Sequence, residues 1–163
     1  MSSLCVSEAS VPTATSCTGK QSASVTRPEN VTTITLAGHG GVPLVADRYG
    51  DVGAPPVIFL HGGGQTRHAW AGAAASLARA GYCAWAVDCR GHGDSGWAVD
   101  GDYGLDAMIG DLCHVVAATG GQPAIVGASM GGLTAMVALG EGKVPAASRL
   151  VLVDIAPRIE AAG

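Results

Sequence analysis

From Val31 onward the apolar positions fall into short runs with two rhythms, strand-like stretches and stripes at helical spacing. Val31–Leu36 and Val42–Tyr49 are β-rich runs flanking Gly38-His39-Gly40-Gly41, which predicts an antiparallel hairpin. Val57-Ile58-Phe59-Leu60 is apolar at every position, the profile of a strand buried on both faces, and it runs into His61-Gly62-Gly63-Gly64. Trp70, Ala73, Ala74, Leu77 and Ala78 then recur at helical spacing, with Gly81 closing that helix. Cys83–Val87 is a second buried strand, ending at Asp88. Leu105, Met108, Ile109, Leu112, Val115 and Val116 form another helical stripe, stopped by Gly120-Gly121. Ala124–Val126 predicts a strand, Leu133, Met136 and Val137 a helix ended near Gly140 to Gly142, and Leu150–Val153 a last strand before Asp154 and Pro157. Residues 1–28 are rich in serine and threonine and lack either rhythm; a disordered extension is expected there, with the folded domain spanning 29–163. Leu4-Cys5-Val6 is too short to be the apolar core of a secretory signal.

Strands alternating with helices at this spacing imply βαβ units, a parallel sheet and right-handed crossovers. Ligands in such sheets gather outside the carboxyl ends of the strands. His61, Asp88, Ser129 and Asp154 all fall at those ends.

Composition narrows the function classes. A chain of 163 residues, 48% hydrophobic and 13% charged, is long enough for one domain with a real core. Its 25 glycines imply many tight turns and close backbone approaches. A net charge of −4 with no basic stripe argues against a nucleic-acid partner. No apolar run nears the roughly 18 residues that span a bilayer, so no membrane association is expected. The 5 cysteines are odd in number and lack a C-x-x-C pair, which reads as free thiols in a reducing, cytoplasmic compartment. Cys89 and His92 lack the further ligand pair that a zinc site needs. No metal and no cofactor is expected.

The chemistry concentrates at Gly127-Ala128-Ser129-Met130-Gly131-Gly132, directly after the apolar run Pro123–Val126. The G-x-S-x-G form places a serine on a sharp, strained turn between a strand and a helix. Residues two before and two after the serine are squeezed against neighbouring strand and helix, so Gly127 and Gly131 supply missing side chains where there is no room for them. Oγ of Ser129 then stands exposed at the carboxyl end of the sheet.

These residues resemble the α/β-hydrolase fold family, in its esterase, haloperoxidase-like and epoxide-hydrolase-like branch. Four motifs match in order over about residues 31 to 157. Leu60-His61-Gly62-Gly63-Gly64 resembles the oxyanion loop after the third strand, and Asp88-Cys89-Arg90-Gly91-His92-Gly93-Asp94-Ser95 the D-x-R-G-x-G-x-S loop after the fourth. The elbow follows the fifth strand, and Leu150–Asp154 resembles the sixth. The resemblance implies a three-layer α/β sheet, with an N-terminal hairpin, then parallel strands flanked by helices, and with the C-terminal strands missing. It implies that Ser129 is the nucleophile and that the N–H groups of Met130 and Gly63 form the oxyanion hole. His61, Gly62 and Gly64 would support the oxyanion loop. A serine rather than an aspartate at this position points to acyl transfer, on a small-molecule ester, thioester or related substrate.

The same resemblance exposes a departure. In the family the catalytic histidine follows the eighth strand and the acid usually the seventh, whereas this sequence runs one loop past the sixth. His39 falls in the hairpin turn, His68 at the start of a helix, His114 on the helix before the elbow, and His61 and His92 in the two loop motifs. Asp154 sits where some family members carry the acid; capping the loop before Pro157 is the ordinary use of an aspartate there. A serine without its base loses most of its reactivity, so hydrolysis is expected to be impaired. Two rival readings stand beside the enzyme: a catalytically dead, truncated product, and a subunit completed by a partner chain. Within the enzyme class, a lyase or synthase is a further option. An uncovered sixth-strand edge is expected to support self-association or a partner. Arg90, Asp88 and Asp94 are expected to salt-bridge within their own glycine-rich loop. Trp97 is the tryptophan placed to line a substrate pocket.

Overall fold

The computed structural model describes residues 31–144 and 147–155. The extension expected over 1–28 and the loop around Pro157 lie outside the described residues. Six strands form one sheet in the order β1-β2-β4-β3-β5-β6. β1 (Val31–Ala37) and β2 (Pro43–Tyr49) make the expected antiparallel hairpin, joined through a short 3₁₀ turn at His39–Gly41. β2 pairs antiparallel with β4 (Cys83–Val87); β3 (Pro56–Leu60), β5 (Ala124–Ala128) and β6 (Arg149–Val153) complete a parallel array with β4.

Side-chain alternation along these strands builds two cores. On β3, Ile58 and Leu60 face one side and Val57 and Phe59 the other; on β4, Cys83, Trp85 and Val87 oppose Ala84 and Ala86. The first set packs under α2 (Leu105–Thr119) and α3 (Met130–Gly140), the second under α1 (Ala71–Arg79). Both faces of the sheet are covered, which is why β3 and β4 are apolar at every position. α1 closes as its glycine predicts: Gly81 takes φ 86°, its N–H donates to Ala78 O at 3.1 Å, and Tyr82 N–H reaches Leu77 O at 3.0 Å. The chain passes from β3 out to β4 and returns to β5 on the other side of β3. That reversal opens a crevice at the carboxyl ends of β3 and β5, where ligands bind in open α/β sheets.

Candidate active site

β5 passes into α3 through one residue, Ser129, held at φ 43° and ψ −110°. That backbone region costs an L-residue on the order of 1–3 kcal/mol, so its surroundings must hold it. Ser129 N–H donates to Val153 O at 3.1 Å, and Leu133 N–H donates to Ser129 O at 2.8 Å. The flanking glycines make the turn possible by absence. A Cβ on Gly127 would lie 2.6 Å from Gly131 O and from Gly132 Cα, and one on Gly131 would lie 2.7 Å from the Leu60 carbonyl carbon. These neighbours are backbone and cannot step aside. Ser129 is exposed, and its hydroxyl bonds to none of the described residues.

The loop after β3 approaches this serine closely: a Cβ on Gly62 would come within 3.4 Å of Ser129 Cβ. Its three glycine N–H groups have different fates. Gly62 N–H donates to Gln65 Oε1 at 3.0 Å, and Gly64 N–H points to His92 Nε2 at 3.4 Å. Gly63 N–H donates to no described residue. Gly63 and Ser129 line one open cleft of about 410 Å³, together with Gln65, Trp70, Val153 and Asp154. Met130, the first residue of α3, offers beside the serine an N–H without an intrahelical acceptor. Of the sequence-predicted set, the structure therefore brings Ser129, Gly62, Gly63 and Asp154 to one cleft, with Met130 adjoining.

Asp154 is exposed and, at φ 53°, is the second non-glycine residue with a left-handed backbone among the described residues. Its carboxylate bonds to no described residue. His61 is fully buried; its Nδ1 lies 2.8 Å from Gly62 O, and its Nε2 accepts from Cys89 N–H at 3.0 Å. Burial is the main influence and holds its pKa below the ordinary imidazole value; the Gly62 bond opposes this, nearby His92 adds to it, and Asp88 opposes it. His92 is engaged by Arg90 O and Gly64 N–H, His68 approaches Asp47 at 3.8 Å, and His39 and His114 are exposed elsewhere. No histidine among the described residues is bonded to Ser129 Oγ.

The loop after β4 departs from expectation in its partners. Arg90 does not pair with Asp88 or Asp94 but reaches α2, where Nε and Nη2 grip Asp111 at 2.7 and 2.8 Å. Asp88 instead pairs with Arg67, which also lies 2.8 Å from Asp94 and 3.1 Å from Asp47. Arg67, Asp47, Asp111 and Gln65 were not singled out from sequence: the partners of the first three lie on elements that only the sheet order makes adjacent, and Gln65 braces its own loop at the Gly62 N–H. Trp97 does not line the Ser129 cleft. It borders a separate one of about 340 Å³, between the β1–β2 turn and the loop after β4. Burial, with Asp111 and Asp88 nearby, pushes the Cys89 thiol up to about 12, so it is no thiolate. Among the described residues no group of three or more His, Cys, Asp or Glu is placed to hold a metal ion, and no helix is long and apolar enough to cross a membrane.

The six-strand order, helices on both faces and a serine on a strained strand-to-helix turn define a three-layer α/β fold with its crevice at the elbow. A family model described as alpha/beta hydrolase fold matches residues 55–161, and the chain belongs to that family. Over 105 residues it is 43% identical to an esterase of Mycobacterium tuberculosis, covering 64% of this chain and 34% of that protein. Over 111 residues it is 40% identical to the sn-1-specific diacylglycerol lipase ABHD11 of Mus musculus, covering 66% of this chain and 35% of that protein. Among solved structures, epoxide hydrolase A from Mycobacterium thermoresistibile matches with a TM-score of 0.72 at 22% identity, over 82% of this chain and 42% of that one. That last likeness shows the fold alone. The chain spans about a third of the length of the two curated relatives named here.

Proposed function

We propose that this chain carries the nucleophile and oxyanion site of a serine hydrolase acting on an ester, thioester or related acyl substrate. The observation that carries the reading is the strained, exposed Ser129 in one cleft with the unbonded N–H of Gly63. Ser129 Oγ attacks the acyl carbon, and the carbonyl electron pair moves to oxygen. That oxyanion meets the N–H groups of Gly63 and Met130, each donor contributing roughly 3 kcal/mol in related chemistry. Collapse expels the alkoxide or thiolate, which takes from solvent the proton that Ser129 gave up to solvent, and water then hydrolyses the acyl-serine to release the acid and restore the hydroxyl. Relatives named as an esterase and a diacylglycerol lipase support the ester reading. Asp154 is the acid of this proposal, since its carboxylate is unbonded to described residues and shares the cleft.

The serine's proton needs an acceptor, and none of the described histidines is placed to take it. Ester cleavage by this chain is therefore impaired, because oxyanion stabilisation and binding alone leave only a residue of triad power. The test is hydrolysis of a p-nitrophenyl acyl ester by the chain and by Ser129→Ala. A slow rate that Ser129→Ala reduces to background is the expected result. Equal rates for both would refute Ser129 as nucleophile, while rapid turnover lost in Ser129→Ala would refute the impairment.

A further inference from the structure

Gln65 is tied twice to Gly62, the residue that opens its turn. Gln65 N–H donates to Gly62 O at 3.1 Å, and Gly62 N–H donates to Gln65 Oε1 at 3.0 Å. A backbone N–H can only donate, so the carboxamide oxygen is the atom that meets it, and Nε2 with its two N–H donors is turned away. Those donors meet no acceptor among the described residues. The carboxamide also stands close to the nucleophile: a Cβ on Gly62 would lie 3.2 Å from Gln65 Oε1 and 3.4 Å from Ser129 Cβ. Gln65 lines the same cleft as Gly63 and Ser129. Its neighbours there, Ala69 and Trp70, are apolar, and Trp70 is held against Phe59 with ring centroids 5.0 Å apart.

Gly63 and Met130 already serve the oxyanion, so the Gln65 carboxamide is a donor left over for another acceptor. Sheet order fixes the side on which it stands. β3 and β6 flank β5 on opposite sides, so Gln65, after β3, and Asp154, after β6, face Ser129 from opposite sides. With Asp154 as the acid, proton exchange and the departing group belong on its side, and the acyl group runs along the loop after β3. Resting on the serine-hydrolase reading above, we propose that Gln65 is a specificity-determining residue whose Nε2 donates to an oxygen of the acyl group close to the attacked carbonyl. The substrate class is then an acyl group bearing an ether, hydroxyl or keto oxygen near that carbonyl, in preference to a plain alkanoyl chain. An alkanoyl chain would bring apolar surface against the two donors and displace their water without replacing its hydrogen bonds, which is how a cleft with few placed polar groups discriminates.

Two arylboronic acids of similar shape test this on the purified chain: 2-methoxyphenylboronic acid, with an ether oxygen near the boron, and 2-ethylphenylboronic acid, with a methylene in its place. Ser129 Oγ adds to the boron of either while its proton leaves to solvent, and the tetrahedral anion sets the aryl group where the acyl group lies. The readout is the ratio of the two dissociation constants, in which effects on folding or on the oxyanion donors cancel. Gln65→Glu keeps an acceptor for the Gly62 N–H but presents an oxygen where Nε2 donated. The parent's preference for the methoxy acid should fall roughly tenfold in this variant, about what one hydrogen bond and its unmatched counterpart are worth. Gln65→Met removes brace and donor together, and should lose the same preference while weakening both ligands. A ratio that either folded variant leaves at the parent value would overturn the assignment and confine Gln65 to bracing its loop. Ser129→Ala should bind neither acid. Binding by Ser129→Ala at the parent's affinity, or no binding of either acid by the parent, would instead sink the hydrolase reading, and the Gln65 assignment with it.

Discussion

Ser129 stores strain for the sake of exposure. At φ 43° and ψ −110° its Oγ stands free of the described residues while the backbone is tied to Val153 O and Leu133 N–H. Glycine adopts this conformation without the Cβ penalty, whereas alanine keeps the penalty. Ser129→Gly should therefore be more stable than Ser129→Ala by about 1 kcal/mol, the strain relieved less the extra chain entropy glycine loses on folding. Urea unfolding of the two variants checks this; Ser129→Ala equal to or above Ser129→Gly would mean that the turn is not strained. The elbow was legible in the sequence because its cause is local and steric. Gly127 and Gly131 stand where a Cβ would meet backbone at 2.6–2.7 Å. The conformation of Asp154 was not legible, since an aspartate at φ 53° carries no compositional mark.

At the scale of elements, strands and helices were readable from rhythm, and their boundaries moved by only one or two residues, as at β3, which begins at Pro56, and β5, which runs on to Ala128. The ion pairs were not readable. Arg90 and Asp111 are joined because α2 packs beside the β1–β2 turn, where Arg90 Nη2 also holds His39 O at 3.0 Å and Asp111 accepts His39 N–H at 2.8 Å. Nothing local distinguishes Asp111 from a solvated helical aspartate. The junction of the β3 and β4 loops yields a pH prediction, because the groups facing His61 there are the His92 ring and the Asp88 carboxylate. Burial lowers the His61 pKa in the folded state. The unfolded chain therefore binds the proton more readily, and stability rises with pH through the window just below about 6.5. On acidification through that window the parent loses a contribution that His61→Gln lacks. The stability advantage of the parent over His61→Gln should narrow as pH falls from above 7 toward 5. An advantage that stays constant across that range would show that His61 titrates alike in both states.

The molecule as a whole presents two unlike sheet edges. β1 shows Thr32, Thr33 and Thr35 to solvent, while its larger apolar residues Val31, Ile34 and Leu36 are partly buried. β6, the opposite edge among the described strands, shows Val151 at 47% and Val153 at 39% exposure, Val151 on the face it shares with its β5 partner Val126. A strand edge with unpaired backbone groups and apolar side chains is a template for further pairing. Two copies presenting the same edge can pair about a two-fold axis, each strand supplying both donors and acceptors. We therefore propose that the 163-residue chain self-associates through β6 and not through β1. Val151 is the position to alter, because Val153 lines the Ser129 cleft and would confound the result. Sedimentation and size-exclusion profiles of the parent should shift to larger species with concentration. Val151→Lys, which places a charge on the edge, should return it to monomer, while Thr33→Lys on β1 should leave the association in place. A parent that stays monomeric at every concentration, or an association indifferent to Val151→Lys, would refute this edge as the contact.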